Sequence, residues 1–411
     1  EFGAFFSNDG GENWVQMKGG LPTIAVRDME IQRRENDLVL ATFGRGFYVL
    51  DDYSALRRLK SAAFEQAADL LPVKDALLYV PSKPLGLRDK GHLGSSYYAA
   101  ANPPVGAVFT YWLKEDLKTL KTKRKDLEKE KGDKKETVYY PDSEALRQED
   151  QQPEPYLLFT ITDAAGSVVR HLKAPAKKGL SRLVWDLRHA PEAPVEGRYK
   201  PTSDQLFGDE AQGHLAIPGN YTVVMSKYED GVLTSLTQPV TFAVKLLDNG
   251  TLTTGDWNAY LTFAKKISAL QKAVNGAQRI HGEMTARLQS LKNGLLDLPA
   301  PAATLNKRIY DAEQGLFDIG RTLNGDASKA RREFETVPSL AGRIGFAQDG
   351  MWSTTTAPNI AQQQNYDIAA RQFGPLLEKM KQIVTAINDI EKEMEGGGAP
   401  YTPGRWPEWK R

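Results

Sequence analysis

At Thr253 the spacing of apolar residues changes from every second position to every third or fourth. A sheet and a helix cannot share one such pattern, so the chain divides there. Downstream, Tyr260, Phe263, Ile267, Leu270, Val274, Ala277, Met284, Leu288, Leu291 and Leu295 recur along one helical stripe. Upstream, short alternating runs are cut by Gly, Asp and Asn turns. With 411 residues and 41% apolar content, the chain has room for two or three cored domains. The pattern predicts a multidomain protein, β followed by α.

The helical half extends over residues 253–396 and reads as a bundle. Pro299 and Pro301 end the first helix. Leu305, Ile309, Leu316, Ile319 and Leu323 mark a second, stopped by Asn324-Gly325. A short helix over Ser339–Ala347 and a long one from about Ile360 to Glu395 complete the set, with a kink expected at Gly374-Pro375. Residues 397–411 form a tail whose Trp406 and Trp409 are expected to dock onto the body.

Residues 106–247 carry six or more short strands, from Ala107–Leu113 through Tyr156–Thr162, Val168–Leu172 and Arg182–Leu187 to Tyr221–Tyr228 and Val240–Lys245. This density predicts an antiparallel β-sandwich of immunoglobulin or fibronectin type, with Trp185 as its core plug. A charged insertion occupies residues 114–150. Its Lys121–Lys135 run is matched by nearby Asp and Glu, and aromatic interleaving is confined to Tyr139-Tyr140, so a solvated helical excursion is expected and no nucleic-acid partner. Residues 57–105, rich in Pro and Gly, read as an irregular linker after a helical-looking Ser54–Ala68.

Residues 1–56 read as short strands: a hairpin from Gly3–Phe6 to Trp14–Met17, then Ala25–Gln32, Asp37–Thr42 and Gly46–Leu50. The hairpin turn is Ser7-Asn8-Asp9-Gly10-Gly11-Glu12-Asn13-Trp14. Its Asp9 carboxylate can accept backbone N–H groups, Gly11 can take a positive φ, and Trp14 can fall back onto the strands as a plug. Arg45, between two glycines, is the candidate ligand contact, with a turn ion pair to Asp51 or Asp52 as the plainer role. Asp51-Asp52 are candidate acids or, more simply, the cap of the following helix.

Composition narrows the chemistry. Fifty-three Lys+Arg against 52 Asp+Glu leave a net charge of +1, which provides no whole-chain attraction for nucleic acid or an anionic membrane. The absence of cysteine excludes disulfides, thiolate catalysis and cysteine-bound zinc. His92, His171, His189, His214 and His281 lack metal-site spacing, so no metal and no cofactor is expected. No apolar run is long enough to span a bilayer. The chain opens on Glu1 with no export signal, and the expectation is that the natural N-terminus lies upstream.

The turn fits the pattern Ser-x-Asp-x-Gly-x-x-Trp of the Asp-box, and the run Asp37-Leu-Val-Leu-Ala-Thr-Phe-Gly-Arg-Gly-Phe-Tyr-Val-Leu-Asp-Asp52 follows it. With Asn102–Tyr111, Ile161–Arg170, Leu183–Arg188 and Thr402–Lys410, the chain resembles the C-terminal part of bacterial BNR/Asp-box repeat proteins, sortilin-like β-propellers commonly labelled glycosyl hydrolase. The resemblance implies that residues 1–56 are the last strands of a propeller, closed by a strand upstream of Glu1. It implies an exported protein, periplasmic, outer-membrane-associated or extracellular, that binds and in the family's label hydrolyses glycans. The alternative it carries is a non-enzymatic scaffold whose propeller binds a protein or peptide. Ser7, Asp9, Gly11 and Trp14 would then be structural. No catalytic constellation is visible: the arginine cluster and Tyr/Glu pair of a sialidase are absent, and a carboxylate pair would come from other blades. Tyr97-Tyr98 and Tyr139-Tyr140 are loop residues able to stack on sugars.

Overall fold

The structure is a computed structural model and describes residues 2–58, 66–81, 100–192, 213–247, 256–298 and 303–409. It has two compact units, residues 1–190 with 215–249 and residues 191–214 with 250–411.

The first unit holds the sheets, including a curled half-barrel sheet. Strands β1 (Phe5–Phe6) and β2 (Val15–Gln16) form the hairpin around the Ser7–Trp14 turn. Strands β3 (Val26–Gln32), β4 (Asp37–Thr42) and β5 (Phe47–Leu50) form an antiparallel meander in that order. The helical-looking stretch after them begins as a short 3-10 helix, Tyr53–Arg58; residues 59–65 lie outside the described ones. Two short strands, β6 (Ala68–Leu70) and β7 (Ala76–Leu78), lie in the stretch expected to be irregular.

The remaining strands are β8 (Ala107–Leu113), β9 (Tyr156–Asp163), β10 (Val168–Pro175), β11 (Gly179–Trp185), β12 (Gly219–Glu229), β13 (Val232–Ser235) and β14 (Val240–Leu246). One sheet runs β10-β9-β12-β14-β7 with β13 added on β12, and the other runs β11-β8-β6. Local chemistry sets their hairpins. Asp163 accepts the N–H groups of Ala165 and Ser167 through Oδ1, and Gly166 takes φ +78° to close the turn. The two sheets share an aromatic core. Phe109 stacks on Phe159 with ring centroids 6.1 Å apart, and Trp185 meets Tyr221 and Phe242 edge-on. Phe109, Phe159 and Trp185 are wholly buried, so Trp185 fills the core as its place in the pattern suggested. Its Nε1–H donates to the Arg188 carbonyl, which removes the cost of burying that donor.

The charged insertion is a helical pair, α1 (Leu120–Asp133) and α2 (Ser143–Gln151). Nothing in α1 is buried. Arg124 joins the two by donating to both oxygens of Glu149 at 2.6 and 2.8 Å, which holds that carboxyl below its ordinary range.

The second unit packs α3 (Trp257–Gly294), α4 (Ala303–Asn324), α6 (Leu340–Trp352) and α7 (Ile360–Gly396) against one another, with α5 (Ala327–Ala330) a single turn between α4 and α6. Asp256 caps α3, Ser339 caps α6, and Asn359 with Gln362 forms a capping box on α7. Helix α7 continues through Pro375. The wholly buried Glu391 on α7 is paired with Arg287 of α3, whose second prong donates to Asn388. The tail is fastened beside it by Arg405, bidentate to Glu395 at 2.5 and 2.6 Å, and by the Thr402 hydroxyl donating to Glu391. The two tail tryptophans do not do the docking: Trp406 is 92% exposed and Trp409 85%. A planar cation with a matched carboxylate fixes the tail and leaves both rings outside.

Candidate functional site

The Ser7–Trp14 turn is fully assembled. Asp9 accepts the Ser7 hydroxyl at 2.7 Å, the Asn13 N–H at 3.0 Å and the Asn13 side-chain amide at 2.8 Å. Ser7 Oγ in turn accepts the Gly11 N–H at 2.9 Å, and Gly11 takes φ +96°. These donors, the Ser7 hydroxyl first, hold the Asp9 carboxyl far below the ordinary aspartate range. A carboxylate with its lone pairs spent this way is a turn fastener. Trp14 lies over Gly11 but is 63% exposed, so it covers the turn without plugging a core.

A cleft of about 550 Å³ opens elsewhere in the first unit, within the range typical of small-ligand sites. Asp37 at the head of β4 and Asp51-Asp52 just beyond β5 form one wall. The strand β7 segment contributes Lys74, Asp75 and Tyr79, and Pro103, Pro104 and Val105 supply an apolar wall ahead of β8. Arg182 of β11 completes it.

Local geometry explains each placement. Asn36 takes φ +59° in the β3–β4 turn and its carbonyl accepts the Tyr53 N–H at 2.8 Å. Asp37 Oδ1 accepts the Asp52 N–H at 3.0 Å, tying the head of β4 to the end of β5. Asp52, at φ +43°, caps the 3-10 turn by accepting the Ser54 N–H and hydroxyl through Oδ1. Lys74 reaches back to Glu35, donating to its carboxylate at 2.5 Å and its carbonyl at 2.8 Å. Gly106, at φ +130°, brings the start of β8 against β11: a Cβ there would lie 2.0 Å from the Trp185 carbonyl oxygen.

The carboxyl groups divide by environment. Hydrogen bonding from Lys74 holds Glu35 low, and Lys245 does the same for Asp75. Asp51 is pushed up, first by removal from water and then by the neighbouring Asp37. No hydrogen bond from the described residues reaches the Asp51 carboxylate; its backbone carbonyl accepts from Arg182. The Asp51 carboxylate oxygens therefore keep their acceptor capacity for a ligand in the cleft.

Arg45 stands at the exposed tip of its turn and is not among the residues lining the cleft. Asp51 and Asp52 are met by Arg182 instead, through their carbonyls. Tyr139 and Tyr140 are 82% and 85% exposed on the link between α1 and α2, while Tyr97-Tyr98 and His92 lie outside the described residues. Among the described residues no group of three or more His, Asp or Glu is placed to hold a metal, and no helix is long and apolar enough to cross a membrane. Sequence reading missed Lys74, Tyr79 and Arg182 as cleft residues. Their partners sit tens to more than a hundred positions away, and only the Asn102-Pro-Pro-Val-Gly106 run gave a local signal.

No protein-family model matches the chain, and no curated protein matches it either.

Proposed function

We propose that this chain is the closing end of an Asp-box β-propeller, carried with an immunoglobulin-like sandwich and a helical bundle, in an exported bacterial protein that binds glycans. The cleft beside β4 and β5 supports the binding half of this reading and is the observation that carries it. Sugar hydroxyls need hydrogen-bond acceptors, which Asp37 and Asp51 supply; sugar C–H faces need an apolar wall, which Pro103, Pro104 and Val105 supply with Tyr79. The propeller half is supported by the β3–β5 meander. Met29, Ile31, Phe47 and Val49 are exposed on its two faces, as in a blade that neighbouring sheets would cover on both sides.

Calorimetric titration of neutral oligosaccharides into the chain tests the binding reading. Saturable binding that Asp51→Asn and Asp37→Asn each weaken is expected. A broad oligosaccharide panel giving no heat would remove the glycan reading. Binding without hydrolysis is expected from residues 1–411, because Glu35, Asp52 and Asp75 are committed to Lys74, Ser54 and Lys245.

The protein- or peptide-binding scaffold is favoured by a different observation, the clamped tail that presents Trp406 and Trp409 to solvent. Exposed tryptophan rings on a fastened segment are typical anchors of protein interfaces. Capture of a protein partner that Trp406→Ala abolishes, with no glycan bound, would decide for it.

A further inference from the structure

We propose that Arg182 is the positioning residue of the cleft: by gripping the carbonyls on both sides of Asp52 it holds the Asp51 carboxyl inside, facing the ligand. The proposal rests on the glycan-binding reading for the ligand's identity and on geometry alone for the positioning.

Arg182 Nη1 donates to the Asp51 carbonyl at 3.0 Å and Nη2 to the Asp52 carbonyl at 2.9 Å. The planar fork thus fixes two successive peptide planes, something a single-point lysine cannot do. Fixing them matters because the chain turns here. Asp52 sits in the left-handed region at φ +43°, a conformation a non-glycine residue keeps only when its surroundings over-determine it. Arg182 belongs to β11, a strand that ends at the wholly buried Trp185, so the fork is mounted on a strand of the core and reaches out to the end of the meander. The second restraint, Asp37 accepting the Asp52 N–H, acts from within the meander itself. Among the described residues, only Arg182 ties the Asp51 carbonyl to the core.

The charges around Asp51 make the test sharp. Asp37 heads β4 and Asp52 follows Asp51 beyond β5, Lys74 and Asp75 come from the β7 segment with Glu35 paired to Lys74, and Arg182 comes from β11. Arg182's positive charge by itself draws Asp51's pKa down, whereas the burial it enforces pushes it up. Removing the fork therefore gives opposite signs under the two roles. If Arg182 positions the turn, Arg182→Gln releases Asp51 to water and its carboxyl titrates lower, toward the ordinary aspartate value of about 4. If Arg182 is only a nearby charge, the same substitution moves Asp51 higher.

The experiment is a carboxyl-carbon NMR titration of Asp51 in the whole chain, for the native protein, Arg182→Gln and Arg182→Lys. Lysine keeps the charge and removes the fork, so it decides the matter if the glutamine variant does not fold. A downward move in both variants, with backbone shifts confined to Asp51–Ser54, is the expected result. An upward move with glutamine and none with lysine overturns the proposal, as does no change in either. Oligosaccharide titrations on the same samples keep the two ideas apart: no binding anywhere would remove the glycan reading and leave the positioning result standing.

Discussion

Two sets of strands in the first unit obey the same alternation and end differently. In the sheets built on β8, β9, β12 and β14, Phe109, Phe159, Ile161, Trp185 and Val223 are wholly buried, because each sheet covers the other's apolar face. In the β3–β5 meander only Leu40 is buried, while Met29, Phe47 and Val49 remain more than half exposed. Alternation specifies a strand but not what covers it. The meander is joined to the rest by a seam of specific ties instead: Lys74 to Glu35, Arg182 to the Asp51 and Asp52 carbonyls, and Leu71 packed with Ala55 and Leu56. Where two regions meet through such ties rather than through a dry core, room is left for a cleft, and the candidate site lies there.

The comparison can be broken by substitution. Phe159→Ala in the shared core should cost about 3–5 kcal/mol, read as a shift in denaturant midpoint. Gly106→Ala should cost on the order of 2–4 kcal/mol, since the new Cβ meets the Trp185 carbonyl and the residue must keep a left-handed φ. By contrast Phe47→Ala, 76% exposed in the native chain, should change stability by less than about 1 kcal/mol. If Phe47→Ala proved as costly as Phe159→Ala, the meander would have cover that the described residues do not show.

The second unit supplies a counterpart. Glu391→Ala leaves Arg287 partly buried and unpaired and also loosens the tail, and should cost about 3–5 kcal/mol in thermal or denaturant unfolding. The smallest effect belongs to the Ser7–Trp14 turn. Asp9 binds its proton more weakly folded than unfolded, so its contribution is present above the ordinary aspartate value of about 4 and is lost as pH falls below it. Asp9→Asn should abolish that acid-side sensitivity in the β1–β2 hairpin, measured by amide shifts across a pH series.

Much of this was legible from residue order. The meander strands, the Asp163–Gly166 turn, the buried Trp185 and the helices α3, α4, α6 and α7 follow from local periods and turn chemistry. Strands β6 and β7 did not, because three residues carry no period and β7 pairs in parallel with β14, more than 160 positions away. The tail was misread for a related reason. Tryptophan's apolar area suggested burial, yet the fastening is done by Arg405 and Thr402, whose partners on α7 no hydropathy pattern reveals. Asp51 and Asp52 were noticed as a pair, but the fork that holds them comes from a strand 130 positions on.

Hydrogen exchange with and without a neutral oligosaccharide bears most directly on the central claim, that the seam beside the meander is the ligand site. Amides of residues 26–50 are expected to exchange far faster than those of β8, β9 and β12, and ligand to add protection at 51–54, 74–79 and 102–106. Uniform protection across both sets of strands, with no ligand-dependent change along the seam, would contradict it.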